Sequence, residues 1–351
     1  MLKVGIMGAS GYMGGEALRM LLDHPQVEIA WLTSRTPSKV EEYHPNLYGL
    51  GLRTVDVENI TPCDVAFLAL PTQASINAAK QLLDVGCKVI DLGAAFRLKD
   101  RGVWESVYGM THSCWSLAEA SVYGISELHG EQVKSATLVA NPGCFPSAAI
   151  LGLGPLVNND LVDVQKLVVN GLSGTAGAGA ELSRAAHHPE IGNNLVPYNV
   201  VNHRHSYEME QELSLLAGKP VSVHFTPVYV PIVRGLLNVC YAFPKQSVTR
   251  EDLLEQYRAF YEGQEFVKIY DLPREAGVSW QYKPYPWINS VAGSNYCYIG
   301  LDVDEKRDRV VVLSVLDSLG KGGAQVGVEN MNLMFGLQRD AGLRRRGMHP
   351  G

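Results

Sequence analysis

Residues 3–14 read KVGIMGASGYMG: a short apolar run, then glycines at 8, 11 and 14, then helical spacing from Gly14 to Leu22. A strand that turns through three glycines into a helix narrows the choice of fold more than any other feature of this chain. Such glycines let the backbone turn sharply and approach a pyrophosphate, while the helix start offers N–H groups and partial positive charge. A plain tight turn is the bland alternative. The pattern's place, directly between strand and helix, favours a dinucleotide site around Gly8, Gly11 and Gly14.

The next 130 residues repeat the theme. Apolar runs at 27–34, 64–70, 88–93 and 136–141 read as strands, and Gln73 to Val85 reads as a helix between two of them. Strands interleaved with helices at this spacing imply a parallel, doubly wound sheet. The second strand ends in LTSR, with Ser34 and Arg35 where an NAD site usually carries an acidic residue for the ribose hydroxyls. Those side chains suit a 2′-phosphate, so the expected cofactor is NADP(H). A solvated loop arginine is the rival reading for Arg35.

Beyond Cys144 the character changes. β-rich runs at 166–174, 221–243 and 309–318 are broken by Pro and Gly, and one helix, 250–263, stands out behind Thr249 as cap. Its Leu253, Leu254, Tyr257 and Tyr261 recur at helical spacing and read as core. The tail 323–337 is again helical, with Val326, Met331 and Met334 on an apolar face. The expected fold class is an α/β Rossmann nucleotide-binding domain plus an α+β domain with a largely antiparallel sheet. With 351 residues, two domains are also what length alone suggests. The expected division is 1–145 with 323–351 for the first and 146–322 for the second.

Composition excludes several partners. Charged residues are 19% and the net charge is −6, which gives nucleic acid no footprint. The one basic run, Arg344-Arg345-Arg346, reads as a solvated patch. No apolar stretch approaches the roughly 20 residues of a membrane span, and the N-terminus enters a strand without a leader-like segment. Six cysteines are scattered with no C-x-x-C pair, which speaks against a disulfide framework and a structural zinc. A cytoplasmic setting is the expectation.

One of those cysteines sits in LVANPGCFPSAA (138–149), where Pro142-Gly143 precede Cys144 and small helix formers follow it. A thiol at a helix N-terminus feels the macrodipole and loses its proton more easily, although buried cysteine is also a common packing residue. A base is available in VVNHRHSYEMEQEL (200–213). If the segment is extended, His203 and His205 share a side while Arg204 points away, and Glu208 stands close behind to orient an imidazole. Metal binding is the rival, but no carboxylate or cysteine at ligand spacing completes a site. His187-His188-Pro189-Glu190 reads as a loop feature. Anions have two candidate cradles: Ser173, Thr175 and the amides around Gly177 and Gly179 in GLSGTAGAGAELS (171–183), and Arg97 after the fourth strand. For the first of these, a flexible strand-to-helix loop is the alternative.

A nicotinamide site, a helix-start cysteine, a histidine base and anion cradles together specify reduction of an acyl phosphate through a thioester. In GASGYMGGE, HPNLYG, DLGAAFRLKD, YGISEL, NPGCFPSAA, SGTAGAGAE, NHRHSYE, FTPVYVPIVRGLL, GSNYCYIGL and DSLGKGGAQVGVENMN, the chain resembles the N-acetyl-gamma-glutamyl-phosphate reductases nearly end to end. The resemblance implies a glyceraldehyde-3-phosphate-dehydrogenase-like fold in which a helix at 325–338 returns to the nucleotide domain, NADPH as reductant, and a homodimer or homotetramer. It implies Cys144 as nucleophile and His203 or His205 as acid–base. It assigns Ser10, Gly11, Tyr12, Gly14, Ser34, Arg35 and Pro71 to the cofactor, and Arg97, Tyr123, Glu127, Ser173, Thr175, Gly177 and Glu208 to substrate. Ala176, Ala180 and Ser318 depart from the family's usual residues, and HHPE (187–190) is similar to the lysine-pathway relative that reduces a carrier-bound aminoadipyl phosphate. NPGCFPS and NHRHSYEMEQEL side with the arginine-pathway enzyme. Aspartate-semialdehyde dehydrogenase is the same reaction class with a different histidine context. A cofactor-sensing protein without turnover would have no reason to keep the cysteine and histidine pair. The lone Tyr-x-x-x-Lys, Tyr241 to Lys245, contains Pro244 and cannot be the helical motif of a short-chain reductase.

Overall fold

A computed structural model describes residues 1–275, 277–278 and 281–349. The chain divides into two compact units, 1–142 with 323–345, and 143–322 with the following tail. Against the expected boundaries, residues 143–145 and 346–349 group with the second unit. The reason for the tail is local: Arg346 lies over the Tyr296 ring at 4.8 Å and Met348 N–H donates to Ala292 O. Residues 350 and 351 lie outside the described residues.

The first unit is built on β1 (Leu2–Met7), α1 (Tyr12–Leu22), β2 (Val27–Thr33), β3 (Val65–Leu68), α2 (Thr72–Asp84), β4 (Lys88–Asp91), α3 (Arg101–Tyr108), α4 (Trp115–Ala120), β5 (Val122–Tyr123), α5 (Ser126–Ser135) and β6 (Leu138–Ala140). All strand pairs are parallel and the order is β2-β1-β3-β4-β6-β5. Strands β3 and β6 are buried throughout, as sheets covered on both faces require, which is why they read as continuous apolar runs. The chain lays β2 on one side of β1 and β3 on the other, which makes β1/β3 the topological switch point where ligands bind. Helices α3, α4 and α5 have no strong signature in the sequence; α5 carries a non-helical residue, His129, inside it. The returning helix Gln325–Met334 packs on α1 and α5 of this unit, and all but one of its residues are buried.

The second unit contains α6 (Cys144–Asn158), β7 (Leu167–Ser173), α7 (His188–Ile191), β8 (Val196–Pro197), α8 (His205–Ala217), β9 (Val223–Tyr229), β10 (Leu236–Ala242), α9 (Arg250–Phe260), β11 (Val267–Ile269), β12 (Cys297–Asp304) and β13 (Arg309–Leu316). The sheet order is β11-β12-β13-β10-β7-β9-β8, antiparallel except for the β7/β9 and β11/β12 pairs. Strands β7 and β10 alternate buried and half-buried residues, the mark of a sheet with one covered face. That cover includes α6, apolar all round and buried from Phe145 to Val157. The expected helix at 250–263 is α9, with Thr249 and Asp252 forming a reciprocal capping box, and Leu253, Leu254, Tyr257 and Tyr261 are buried. Among the described residues, no helix is long and apolar enough to cross a membrane.

Candidate active site

In the first unit, geometry at the end of β1 explains each glycine. Gly8 has φ +85°, and a Cβ there would meet Ala69 O, beyond β3, at 2.3 Å. A Cβ on Gly14 would meet Gly8 O at 2.3 Å, so helix and turn touch only because both are glycine. Over Gly11 nothing lies nearer than 3.7 Å. Gly11 is also the N-cap of α1, without a side-chain cap and without an acid in the first turn. The amides of a helix start are thus presented at the switch point with no side chain of the helix to satisfy them, which fits a bound diphosphate.

The turn after β2 is pinned to this loop. Gly8 N and Ala9 N both donate to Thr33 O, at 3.1 and 2.9 Å. Ser34 follows, its hydroxyl on Thr36 O and Thr54 Oγ1, and Arg35 is exposed. Pro71 is the N-cap of α2, directly beyond β3. Ser10 is half-buried and Tyr12, at the helix start, is exposed. His44 of HPNLYG carries no signal of its own in the sequence, yet its Nε2 lies 2.7 Å from Ala9 O and its ring fills the place of a Gly15 Cβ.

Arg97 is buried, with Nε donating to Asn141 O at 2.7 Å and Nη2 to Leu92 O at 3.3 Å. Asp91 shapes that turn by accepting from Ser75 Oγ, Gly93 N and Ala95 N; burial pushes its carboxyl up. Tyr123 is buried in this unit. The Glu127 side chain is buried and pairs with Arg339 at 3.1 Å, beside Glu329 at 2.6 Å from the same guanidinium. That cluster ties the returning segment to α5.

In the second unit, Cys144 is the first residue of α6 and half-buried, with Gly143 as N-cap. Glu208, fully buried on α8, accepts the Gly143 N–H at 3.0 Å through Oε2. Its other oxygen lies 3.9 Å from His205 Nε2. One carboxylate therefore holds the turn that presents the thiol and faces an imidazole. The two histidines come together, with ring centroids 4.7 Å apart, but not as an extended segment. Arg204 is helical and His205 starts α8; the His205 N–H donates to His203 Nδ1 at 3.1 Å, a helix-start bond. Both rings pack on Phe145, next to the cysteine.

Burial, then the neighbouring Arg204 charge, holds His203 down at about 4. It is therefore neutral at pH 7. Because the unfolded chain binds its proton near 6.5, the unfolded state holds more protons between about pH 6.5 and 4. Stability should rise with pH across that window and fall as pH drops through it, by roughly 3 kcal/mol for this one group. Urea unfolding at pH 4 to 7 checks this: His203→Asn should flatten the slope.

Several site residues escape the sequence reading. Tyr198 and Tyr229 stack at 4.2 Å, and burial pushes both hydroxyls up. Their only sequence signal is an aromatic on each of two short β runs. Gly322 is another: a Cβ there would stand 2.8 Å from Cys144 Cβ. Its loop is fixed by buried Asp317, whose Oδ1 accepts from Leu319 N and whose Oδ2 accepts from Gly293 N and Arg234 Nε. Gly171 is needed because Phe145 occupies the space of its Cβ. The expected anion cradle looks different. Ser173 Oγ donates to Gly174 O, Thr175 Oγ1 to Ile232 O, and the amides of Thr175 and Ala176 to Ile232 and Val233 carbonyls. Gly177 sits in the short 3₁₀ turn Thr175–Ala178, and Gly179 at φ +87° ends it. His187 and His188 are exposed.

A parallel nucleotide-binding unit and a mixed-sheet unit whose cysteine-bearing turn is held by a carboxylate that also faces a histidine define a semialdehyde dehydrogenase. Family models agree for both parts: "Semialdehyde dehydrogenase, NAD binding domain" matches residues 3–136 and "Semialdehyde dehydrogenase, dimerisation domain" matches 144–318. Among curated proteins, the N-acetyl-gamma-glutamyl-phosphate reductase of Desulforamulus reducens is 44% identical over 100% of both chains. That of Pelotomaculum thermopropionicum is 42% identical over 99% of each. The chain belongs to the N-acetyl-gamma-glutamyl-phosphate reductase family. Solved structures carry the fold further. Aspartate semialdehyde dehydrogenase II from Vibrio cholerae, complexed with ASA, has a TM-score of 0.69 at 17% identity, covering 95% of this chain and 98% of that one. The Candida albicans enzyme with NADP gives 0.62 at 15%, with the same coverage.

Proposed function

We propose that this enzyme reduces N-acetyl-L-glutamyl 5-phosphate to N-acetyl-L-glutamate 5-semialdehyde and phosphate, in arginine biosynthesis, with NADPH as reductant. The observation that carries the reading is the Glu208 carboxylate shared by the Cys144 turn and the His205 ring. Cys144 attacks the acyl carbon, the C–O bond to phosphate breaks, and a thioester forms. The helix start favours the thiolate. A bound nicotinamide would supply hydride to the thioester carbon. His205 then manages the proton of the thiohemiacetal oxygen, which is lost as the thiolate leaves and the aldehyde forms. Glu208 supports that role because its carboxylate faces the His205 ring at 3.9 Å. His203, held neutral, positions His205 by accepting its amide N–H. Arg97 is the proposed anchor for an anionic group of the substrate.

Gly8, Ser10, Gly11, Tyr12, Gly14, Ser34, Arg35 and Pro71 are the proposed cofactor shell. Ser34 and Arg35, with no acid in 34–38, support a 2′-phosphate. Arg35→Asp should cost far more affinity for NADPH than for NADH, measured by fluorescence titration. Equal losses would remove the assignment. The dimerisation-domain match supports a homo-oligomer, dimer or tetramer, and thiols without disulfides go with a cytoplasmic location.

Substrate identity is tested by running the reaction backwards, with phosphate and NADP⁺, on three aldehydes. N-acetylglutamate semialdehyde should be the preferred one. Preference for aspartate semialdehyde or an N-blocked aminoadipate semialdehyde would overturn the proposal.

A further inference from the structure

The sequence spacing of the cysteines hides one pair. Cys63 and Cys87 are 24 residues apart, yet their Sγ atoms lie 3.3 Å from each other. They stand at the amino ends of neighbouring parallel strands: Cys63 two residues before β3, Cys87 directly before β4. Backbone bonds hold both in place. Lys88 N donates to Asp64 O at 3.0 Å, Asp64 N to Lys3 O at 2.9 Å, and Cys87 N to Leu82 O at 3.0 Å. Both thiols line a cavity of about 380 Å³ together with Met7, Ile60, Pro62 and Val85, so a small oxidant has room to reach them. Neither belongs to the cofactor loop, which lies at the carboxyl ends of the same sheet.

We propose that Cys63 and Cys87 are a modification site, a dithiol that hydrogen peroxide converts to an intramolecular disulfide and that thiol reductants restore. Chemistry divides the roles. The Cys87 hydrogen bond holds the Cys63 thiol below its usual range, while the same contact and burial raise Cys87. Cys63 as thiolate attacks one peroxide oxygen, the O–O bond breaks, and hydroxide leaves to give a sulfenic acid. The Cys87 sulfur attacks that sulfenic sulfur, the S–O bond breaks, and water departs with the Cys87 proton. Two thiols and one peroxide yield one disulfide and two waters. The cross-link staples β3 to β4 opposite the cofactor loop, so it should raise thermal stability and leave NADPH binding unchanged.

The test treats the full chain with hydrogen peroxide, alkylates remaining thiols, and digests with trypsin. Cleavage after Arg53, Lys80 and Lys88 puts the two cysteines in separate peptides, 54–80 and 81–88. The expected product is those peptides joined, two hydrogens lighter than their sum, and separated again by dithiothreitol. Oxidised chain should also melt several degrees higher than reduced chain, a shift absent in Cys87→Ser. Full alkylation of both residues, or sulfinic acid at Cys63 without a joined peptide, would overturn the proposal. The peptide readout uses the unaltered chain and holds even if the serine variant folds poorly.

Discussion

Cys144→Ser is expected to lower phosphate-dependent NADP⁺ reduction by N-acetylglutamate semialdehyde by on the order of 10⁴-fold or more, with NADPH affinity unchanged. The helix start and the Glu208-held turn present a thiol, whose ionised form is the nucleophile. A serine hydroxyl in the same place stays protonated, because neither partial charge nor a nearby imidazole bridges so large a gap in acidity. Serine is nearly isosteric, and its backbone keeps the Gly143 N–H bond to Glu208. The fold and the cofactor loop, which belongs to the other unit, should therefore be untouched. Steady-state rates and a fluorescence titration of NADPH separate the two effects. A loss smaller than tenfold would end the covalent reading.

His205→Asn comes next in size, with an expected fall in turnover of roughly 10²–10⁴-fold, the usual contribution of a positioned acid–base group. His203→Asn should cost much less. The two rings are neighbours on Phe145, so packing does not distinguish them. Their electrostatics does. His205 faces a buried carboxylate, whereas His203 is kept at about 4 by burial and Arg204 and cannot hold a proton at pH 7. Asparagine at 203 retains an acceptor for the His205 N–H, which isolates the proton-transfer role from positioning. The pH profile of turnover should lose its imidazole limb in the 205 variant alone. Equal losses in both variants, or the larger loss at 203, would reverse the assignment.

Much of this was legible from one-dimensional pattern. Glycines at 8, 11 and 14 announce the strand-turn-helix because each spacing reflects a local contact, the Gly14 Cβ position against Gly8 O among them. Apolar runs at β3, β4 and β6 are readable because both faces are covered. Cys144 is recognisable because the Pro-Gly turn and the helix it starts are consecutive in sequence. Contacts between distant segments are what the pattern hides. Glu208 reads as a second residue for orienting an imidazole, yet its hydrogen bond to Gly143 spans 65 residues. The Tyr198/Tyr229 stack depends on β8 pairing with β9, and Gly322 matters where its loop folds onto Cys144. For the histidine segment the sequence leaves an extended conformation open; in the structure His203 accepts the amide of His205, two residues on, and a helix starts there.

The central claim is that the acyl group passes through Cys144. The most direct measurement is the intact mass of the chain incubated with N-acetylglutamyl 5-phosphate in the absence of NADPH. The expected result is one N-acetylglutamyl adduct per chain, mapped to Cys144, released by hydroxylamine and absent from Cys144→Ser. Full turnover on later addition of NADPH by a chain that never carries the adduct would contradict it.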